Sequence, residues 1–320
     1  MRRTDALPAR SPGTRRRSRG RLPALLLLLF FGTCSDPAPV KPLEAVLDEI
    51  VARQPEAVVA VSVRDAATGT RLDRLPDRPF HAASTMKVPV MIEVYRQAAL
   101  GRFRLSDSLT VRNAFRSIVD GSPYRIEDDS DDALYERLGT RMALRDLVDR
   151  MITVSSNLAT NLLIDVVSAD SVQATVERLG GHGMRVLRGV EDLAAYRQGL
   201  NNVTTAPALA ALLEALAAGR AVSPEADREM IGILLEQRFN EMIPAGLPAG
   251  TRVAHKTGWI TGIHHDAAIV YPAGDAPYVL VILIEGIEDP HVAATLGADI
   301  ARAVHTRLRG GVPVEADHQH

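Results

Sequence analysis

The residues best equipped for chemistry lie at Ser84-Thr85-Met86-Lys87, inside the stretch His81 to Val90. A serine and a lysine at i and i+3 share one face of a helix, with Cβ atoms about 5–6 Å apart. Held that way, a hydroxyl and an amine can exchange a proton, and the alcohol becomes a nucleophile. The amine acts as a base only where burial or neighbouring positive charge lowers its pKa. A serine at a helix start also lies where backbone N–H groups favour negative charge. The spacing alone says little, because at average usage it arises about once by chance in a chain this long.

Composition gives it weight. Of the 37 lysines and arginines in 320 residues, only Lys41, Lys87 and Lys256 are lysines. Lys41 precedes the first periodic segment, so the folded part keeps two, in Ser84-x-x-Lys87 and Lys256-Thr257-Gly258. Arginine stays protonated in a protein, whereas lysine can lose its proton and is a compact point charge. A chain that uses arginine almost everywhere retains lysine where that difference would matter.

The elements that must position these residues can be read from periodicity. Leu43, Val46, Leu47 and Ile50 are spaced as on a helix over 43–54. Residues 57–63 are β-rich and run into an Ala66-Ala67-Thr68-Gly69 turn, a hairpin signal. A helix carrying Met86, Val90, Met91 and Val94 follows, its first turn distorted by Pro89. Residues 101–140 read as mostly irregular, with the acidic run Glu127 to Asp132 as a solvated loop; it lacks the glycine and terminal Glu of a calcium loop. Helical spacing covers 141–167 with a polar break at Val154-Ser155-Ser156-Asn157, then 171–179, 205–218 and 224–237, around a loop at 183–203. Strands are expected at 252–259, 266–271 and 278–284, and a last helix at 290–308. Strands at both ends and helices between them imply an α+β fold: a five-stranded antiparallel sheet built from both chain ends, with an all-helical subdomain inserted.

The first 33 residues read as an export leader. Eight arginines precede the apolar run Leu25 to Phe31, which is too short to span a membrane. The sole cysteine, Cys34, follows at once and suggests a lipid-modified N-terminus; a Pro-rich tether reaches residue 42, and 312–320 read as a disordered tail. The domain is therefore expected over 43–311, in the periplasm or cell envelope, with the membrane met only through a lipid on Cys34. Without residues 1–33 the chain carries 29 basic and 38 acidic side chains, a formal −9, which argues against nucleic-acid binding.

In order, the chain offers Ser84-x-x-Lys87, Ser155-Ser156-Asn157, Glu191 and Lys256-Thr257-Gly258. The set resembles the class A β-lactamase and penicillin-binding-protein superfamily of active-site serine hydrolases, marked by S-x-x-K, S-D-N and K-T-G. The resemblance covers residues 43–309 and implies a β-lactamase/transpeptidase-like fold and a monomer acting without cofactor or metal on a small-molecule β-lactam or acyl-peptide. It makes Ser84 the acylated nucleophile and Lys87 its activating amine. Ser155 would pass a proton to the leaving nitrogen, and Asn157 would hold the substrate amide and the lysine. Lys256 and Thr257 would take the substrate carboxylate, beside Gly258. The N–H groups of Ser84 and Trp259 would form an oxyanion hole, with the Trp259 ring as a substrate-facing wall. Glu191, 36 residues after Ser155, would be the deacylating base; whether it or Lys87 takes the serine proton is open in the family.

Three departures stand out. Ser156 replaces the aspartate of S-D-N. The usual E-x-x-L-N reads Glu191-Asp192-Leu193-Ala194-Ala195, without the asparagine that positions water; Asn201 or Asn202 would have to substitute. His265 falls near the place of a carboxylate-binding arginine, and a neutral histidine holds an anion less well. Plainer roles are open too: Ser155 and Asn157 as a helix cap, Glu191 as a loop acid, Trp259 as packing, and His81 and His255 as structural residues. A metal site at His264, His265 and Asp266 is disfavoured because adjacent strand residues point to opposite faces. The reading is a serine hydrolase that opens β-lactams through an acyl-enzyme on Ser84. The rivals are a D-alanyl-D-alanine peptidase or other acyl hydrolase, and a non-enzymatic sensor acylated once.

Overall fold

A computed structural model of the chain describes residues 41–310. The leader, Cys34, the tether up to Val40 and the 312–320 tail lie outside the described residues. Five strands, β1 (Val58–Asp65), β2 (Thr70–Arg74), β3 (Arg252–Ile260), β4 (Ile263–Tyr271) and β5 (Tyr278–Glu285), pair antiparallel in the order β2-β1-β5-β4-β3. The two chain ends thus build one sheet, as the distribution of strand signals implied. β5, YVLVILIE, is buried at seven of its eight positions because both faces of the sheet are covered. Alternate residues feed two cores: Val279, Val281 and Leu283 on one side, and Leu280, Ile282 and Ile284 on the other.

The longer helices, in chain order, are α1 (Leu43–Val51), α2 (Lys87–Ala99), α3 (Leu144–Thr153), α4 (Asn157–Val167), α5 (Ala169–Arg178), α6 (Ala206–Ala217), α7 (Pro224–Leu235) and α8 (Pro290–Arg309). α1 and α8 share the core on one face of the sheet, with Leu47, Ile50, Ile300 and Val304. α6 packs on β1, β4 and β5 from the other face, and the remaining helices extend that second core into a lobe.

The region 101–140, expected to be irregular, holds small paired elements. Ser108–Thr110 pairs with Arg141–Ala143, Phe115–Arg116 pairs with Pro123–Tyr124, and Asp132–Tyr135 forms one helical turn. β4 begins at Ile263, three residues before the expected start, because His264 and His265 pair with Trp259 and Gly258 across a tight turn.

α2 is the axis of the lobe. Lys87 through Tyr95 are all buried, so the helix is enclosed on every side. Pro89 takes its third position, where a helix has no intrahelical partner for an N–H. The buried Glu93 carboxylate accepts hydrogen bonds from Arg96, Gln97 (2.7 Å) and Thr175 Oγ1 (2.7 Å), tying α2 to α5; these donors hold it below the usual carboxylate range against the opposing effect of burial. Glu93→Ala leaves those donors without their acceptor. It should lower the unfolding free energy by about 3 kcal/mol, read by urea denaturation; an unchanged midpoint would show that the network contributes nothing.

Candidate active site

Ser84 lies in a 3₁₀ turn, Ala83–Met86, that leads directly into α2. In such a turn residues i and i+3 eclipse, which lines Ser84 up with Lys87 more closely than an α-helix would. The turn is over-determined by its surroundings. His81 Nδ1 accepts from Ala83 N at 3.1 Å, Ala82 N donates to Asn202 O at 2.9 Å, and Thr85 Oγ1 donates to Ala82 O. Ala83 has φ +44°, a left-handed conformation that costs a non-glycine residue energy. Ser84 is the half-buried member of a turn whose other residues are buried.

β3 is the edge strand, and it packs against this turn. A Cβ on Gly258 would lie 3.2 Å from Ser84 N and Thr85 N and 3.1 Å from the Thr85 methyl. Glycine lets the strand backbone approach the Ser84 N–H. Lys256 and Gly258 share the strand face that looks toward the helical lobe, as Ala254 does.

Lys87 is fully buried. Its Nζ donates to Ser155 O (2.6 Å), Asn157 Oδ1 (2.8 Å) and Ser155 Oγ (3.2 Å), and among the described residues none of its hydrogen bonds runs to Ser84 Oγ. Desolvation brings the amine down to about 7, against the opposing pull of the Asp129 and Glu191 charges. Lys256, equally buried, donates to the same Ser155 Oγ at 3.0 Å and to Thr257 O at 2.8 Å. Burial, and then the charge of Lys87, push its amine down, while Asp266 works the other way. A hydroxyl has two acceptor lone pairs and one proton. With both amines donating to Ser155 Oγ, its proton is directed away from them.

Ser155 has φ +60° and stands at the break between α3 and α4. Asn157, the first residue of α4, bridges two ionisable groups: Oδ1 accepts from Lys87, and Nδ2 donates to Glu191 Oε1 at 2.8 Å. Glu191 is half-buried, at φ +59°, and its other oxygen accepts from Glu127 N at 3.2 Å. Burial raises its pKa above the ordinary carboxylate range. Three of the five non-glycine residues with positive φ among the described residues, Ala83, Ser155 and Glu191, therefore converge here.

The structure corrects several expectations. His265 is no carboxylate ligand: its ring is fully buried against Phe80, Nδ1 accepts from Ile284 N, and Nε2 donates to His81 O at 2.9 Å. Desolvation lowers its pKa to about 4, so it stays neutral. Asn202 and Asn201 do not reach Glu191. Asn202 accepts from Leu187 N and Arg188 N and donates to Arg188 O, and Asn201 accepts from Arg188 Nη2. The Trp259 side chain is 61% exposed and alternates to the strand face opposite Lys256, so the ring does not line the lysine side; only its backbone lies beside Gly258. The N-cap of α4 is Ser156, whose Oγ accepts from Ala159 N, and not Ser155 or Asn157.

Sequence reasoning missed Asp129, one acid of a run assigned to solvent. Asp129 is half-buried, and its carboxylate accepts from Asn157 N and Leu158 N, both at 2.8 Å. It also missed Asn161, whose side chain clamps Val190 N and Val190 O beside Glu191, and the buried contact of His255 Nδ1 with Asp266 Oδ1 (2.9 Å) behind Lys256. A half-buried acid within a charged run leaves no mark in composition; only the amides at the α4 terminus single it out.

The model of the β-lactamase enzyme family matches residues 42–308. A β-lactamase of Rhodobacter capsulatus is 31% identical over 279 residues, 84% of this chain and 90% of its own. The crystal structure of a β-lactamase from Sphaerobacter thermophilus superposes with a TM-score of 0.73 at 28% identity, over 85% of this chain and 98% of that one. A PBP-A variant in acyl-enzyme complex with penicillin G gives 0.73 at 26% identity, over 84% and 97%.

Three lysines in the whole chain make a sparse lysine ¹³Cε NMR spectrum, in which Lys87 should titrate with a midpoint near 7. A midpoint above about 9 would show an ordinary, charged ammonium and remove the base from this site.

Proposed function

The chain belongs to the β-lactamase enzyme family, and from that membership we propose that it hydrolyses the β-lactam amide through an acyl-enzyme on Ser84. The observation that carries the assignment of roles is the buried Lys87 amine, near 7, one 3₁₀ turn from a half-buried serine. Lys87 takes the Ser84 proton as Oγ attacks the lactam carbonyl. The N–H groups of Ser84 and Trp259 hold the oxyanion; loss of one such donor costs about 3–4 kcal/mol. Ser155 Oγ, its lone pairs held by Lys87 and Lys256, gives its proton to the leaving ring nitrogen and recovers one from Lys87. Lys256 and Thr257 receive the substrate carboxylate, whose charge restores the protonated state that burial disfavours in Lys256. Glu191, raised by burial and oriented by Asn157, then takes a proton from the water that hydrolyses the ester.

One observation favours the slower chemistry of a D-alanyl-D-alanine peptidase: Ala195, buried, stands four residues after Glu191, where an amide would help hold that water. The leader and Cys34 support export and a lipid anchor at the cell envelope, with the rest of the chain a monomer in the periplasm.

Purified domain should turn over nitrocefin, and intact-mass spectrometry should find a penicillin adduct on Ser84. Lys87→Arg should cut acylation by roughly 10²–10⁴-fold, and Glu191→Gln should make the adduct long-lived by a similar factor. No turnover and no adduct would sink the hydrolase reading, while a long-lived adduct on the unaltered domain would select the peptidase. In a bacterial host, radiolabelled palmitate should mark the full chain and not Cys34→Ser; equal labelling would remove the lipid anchor.

A further inference from the structure

Family members carry an aspartate within S-D-N, and here Ser156 occupies that position. A serine at the N-cap serves one amide, and Ser156 Oγ serves Ala159 N, the third residue of α4. The first two amides, Asn157 N and Leu158 N, are taken by Asp129 Oδ1 and Oδ2 at 2.8 Å each. Ser156 Oγ lies 3.4 Å from Asp129 Oδ2, and Tyr135 Oη donates to the same oxygen at 3.1 Å. The neighbours Glu127, Asp128 and Ser130 are exposed, whereas Asp129 turns inward to α4 and Asp131 inward to Arg150 Nη1 at 2.6 Å. A carboxylate is also the group that best complements a helix N-terminus.

We propose that Asp129, reaching over from the 127–132 loop, supplies the carboxylate that Ser156 cannot, and acts as a positioning residue for the Ser155-Ser156-Asn157 turn. By fixing both amides at the start of α4 it sets Asn157, which in turn joins Lys87 to Glu191. The same loop meets the site a second time, through Glu127 N on Glu191 Oε2 and Asp128 O accepting from Asn157 Nδ2. Asp129 therefore couples a surface loop to the proton-transfer groups, and its charge is one of the two carboxylates that favour the protonated form of Lys87, facing it together with Glu191 and opposed by Lys256.

The geometry makes the carboxylate movable between two positions but not welcome in both. Aspartate at 156 would be an N-cap able to accept from Leu158 N or Ala159 N; beside Asp129 it would place two carboxylates in near contact. The test is the four-protein cycle of the unaltered domain, Asp129→Ala, Ser156→Asp and the pair, with Asp129→Asn as the shape-keeping substitute if Asp129→Ala does not fold. Each single variant should lose about 2–6 °C in Tm, the worth of a lost cap or an added repulsion. Asp129→Ala should lose about 100-fold in penicillin acylation rate, the effect of a small misplacement of reacting groups. The pair should regain most of both. In Asp129→Asn the Lys87 NMR midpoint should fall below 7, because a charge favouring the ammonium has gone. Additive losses in the pair, or an unchanged Asp129→Ala protein, would overturn the proposal. The acylation arm rests on the hydrolase reading; the Tm cycle and the Lys87 titration do not, so a failure of that reading leaves this one decided separately.

Discussion

The site depends on keeping a lysine amine dry. Lys87 is fully buried at the start of α2 and, among the described residues, donates to three neutral oxygens and to no carboxylate. Holding an amine near 7 when water would hold it near 10.5 costs on the order of 4–5 kcal/mol at neutral pH, against a total stability of about 5–15 kcal/mol for a domain. The sign is fixed by the direction of the change. Between about 7 and the unperturbed value the unfolded chain binds the extra proton, so through this group the fold gains stability as pH rises across that window. The buried apolar residues of α2 and the continuous core of the lobe offset that cost.

The sheet and the helical lobe, parts of one compact unit, then have to meet at one serine. The sheet brings its edge strand, and Gly258 lets that edge come so near that a Cβ there would lie 3.2 Å from the Ser84 amide nitrogen. The lobe brings the 154–157 break, where φ +60° at Ser155 turns its hydroxyl between two lysines. Strain at Ala83, Ser155 and Glu191 is distributed over the turn before α2, the break between α3 and α4 and the 183–203 loop. Each strained residue sits where a regular helix or strand would have pointed its side chain elsewhere, and the packing around it holds that conformation in place.

Much of this was readable before any coordinates. The element order follows from periodicity, because a sheet buried on both faces needs long apolar strands such as 278–284, and a helix enclosed in a lobe needs an apolar surface all round. Lysine scarcity marked the two amines, since chemistry separates lysine from arginine even where charge does not. What could not be read was contact across large sequence separation. Nothing in the sequence links Asp129 to Leu158, or shows that His265 spends both nitrogens on backbone groups of Ile284 in β5 and of His81. Spacing along a strand gave His265 a place near the arginine of relatives, but strand alternation sends its ring into the lobe core beside Phe80. The asparagines at 201 and 202 were legible as candidates and wrong as ligands, because a loop must satisfy its own buried amides first.

That last point bears on how Glu191 is held. The loop around it has little conformational freedom left. Arg188, buried, donates to Leu200 O, Gly189 O and Asn201 Oδ1; Asp192 accepts from Ser117 Oγ and Ile118 N; and Asn161 clamps Val190 from α4. A side chain at Gly189 would displace the Asn161 amide, since a Cβ there would lie 2.4 Å from Asn161 Oδ1. All these polar groups are committed to the loop's own backbone and its neighbours, so their effect on chemistry is to fix one carboxylate. With alanine four residues after Glu191, the proposed mechanism leaves orientation of a water to Glu191 and to Asn157, which bridges it to Lys87. Under the proposed mechanism, the base for the second half-reaction is therefore tied, through one amide side chain, to the base for the first. A change that moves Asn157 must disturb both, which is why the carboxylate that anchors the start of α4 matters beyond the stability of a helix end.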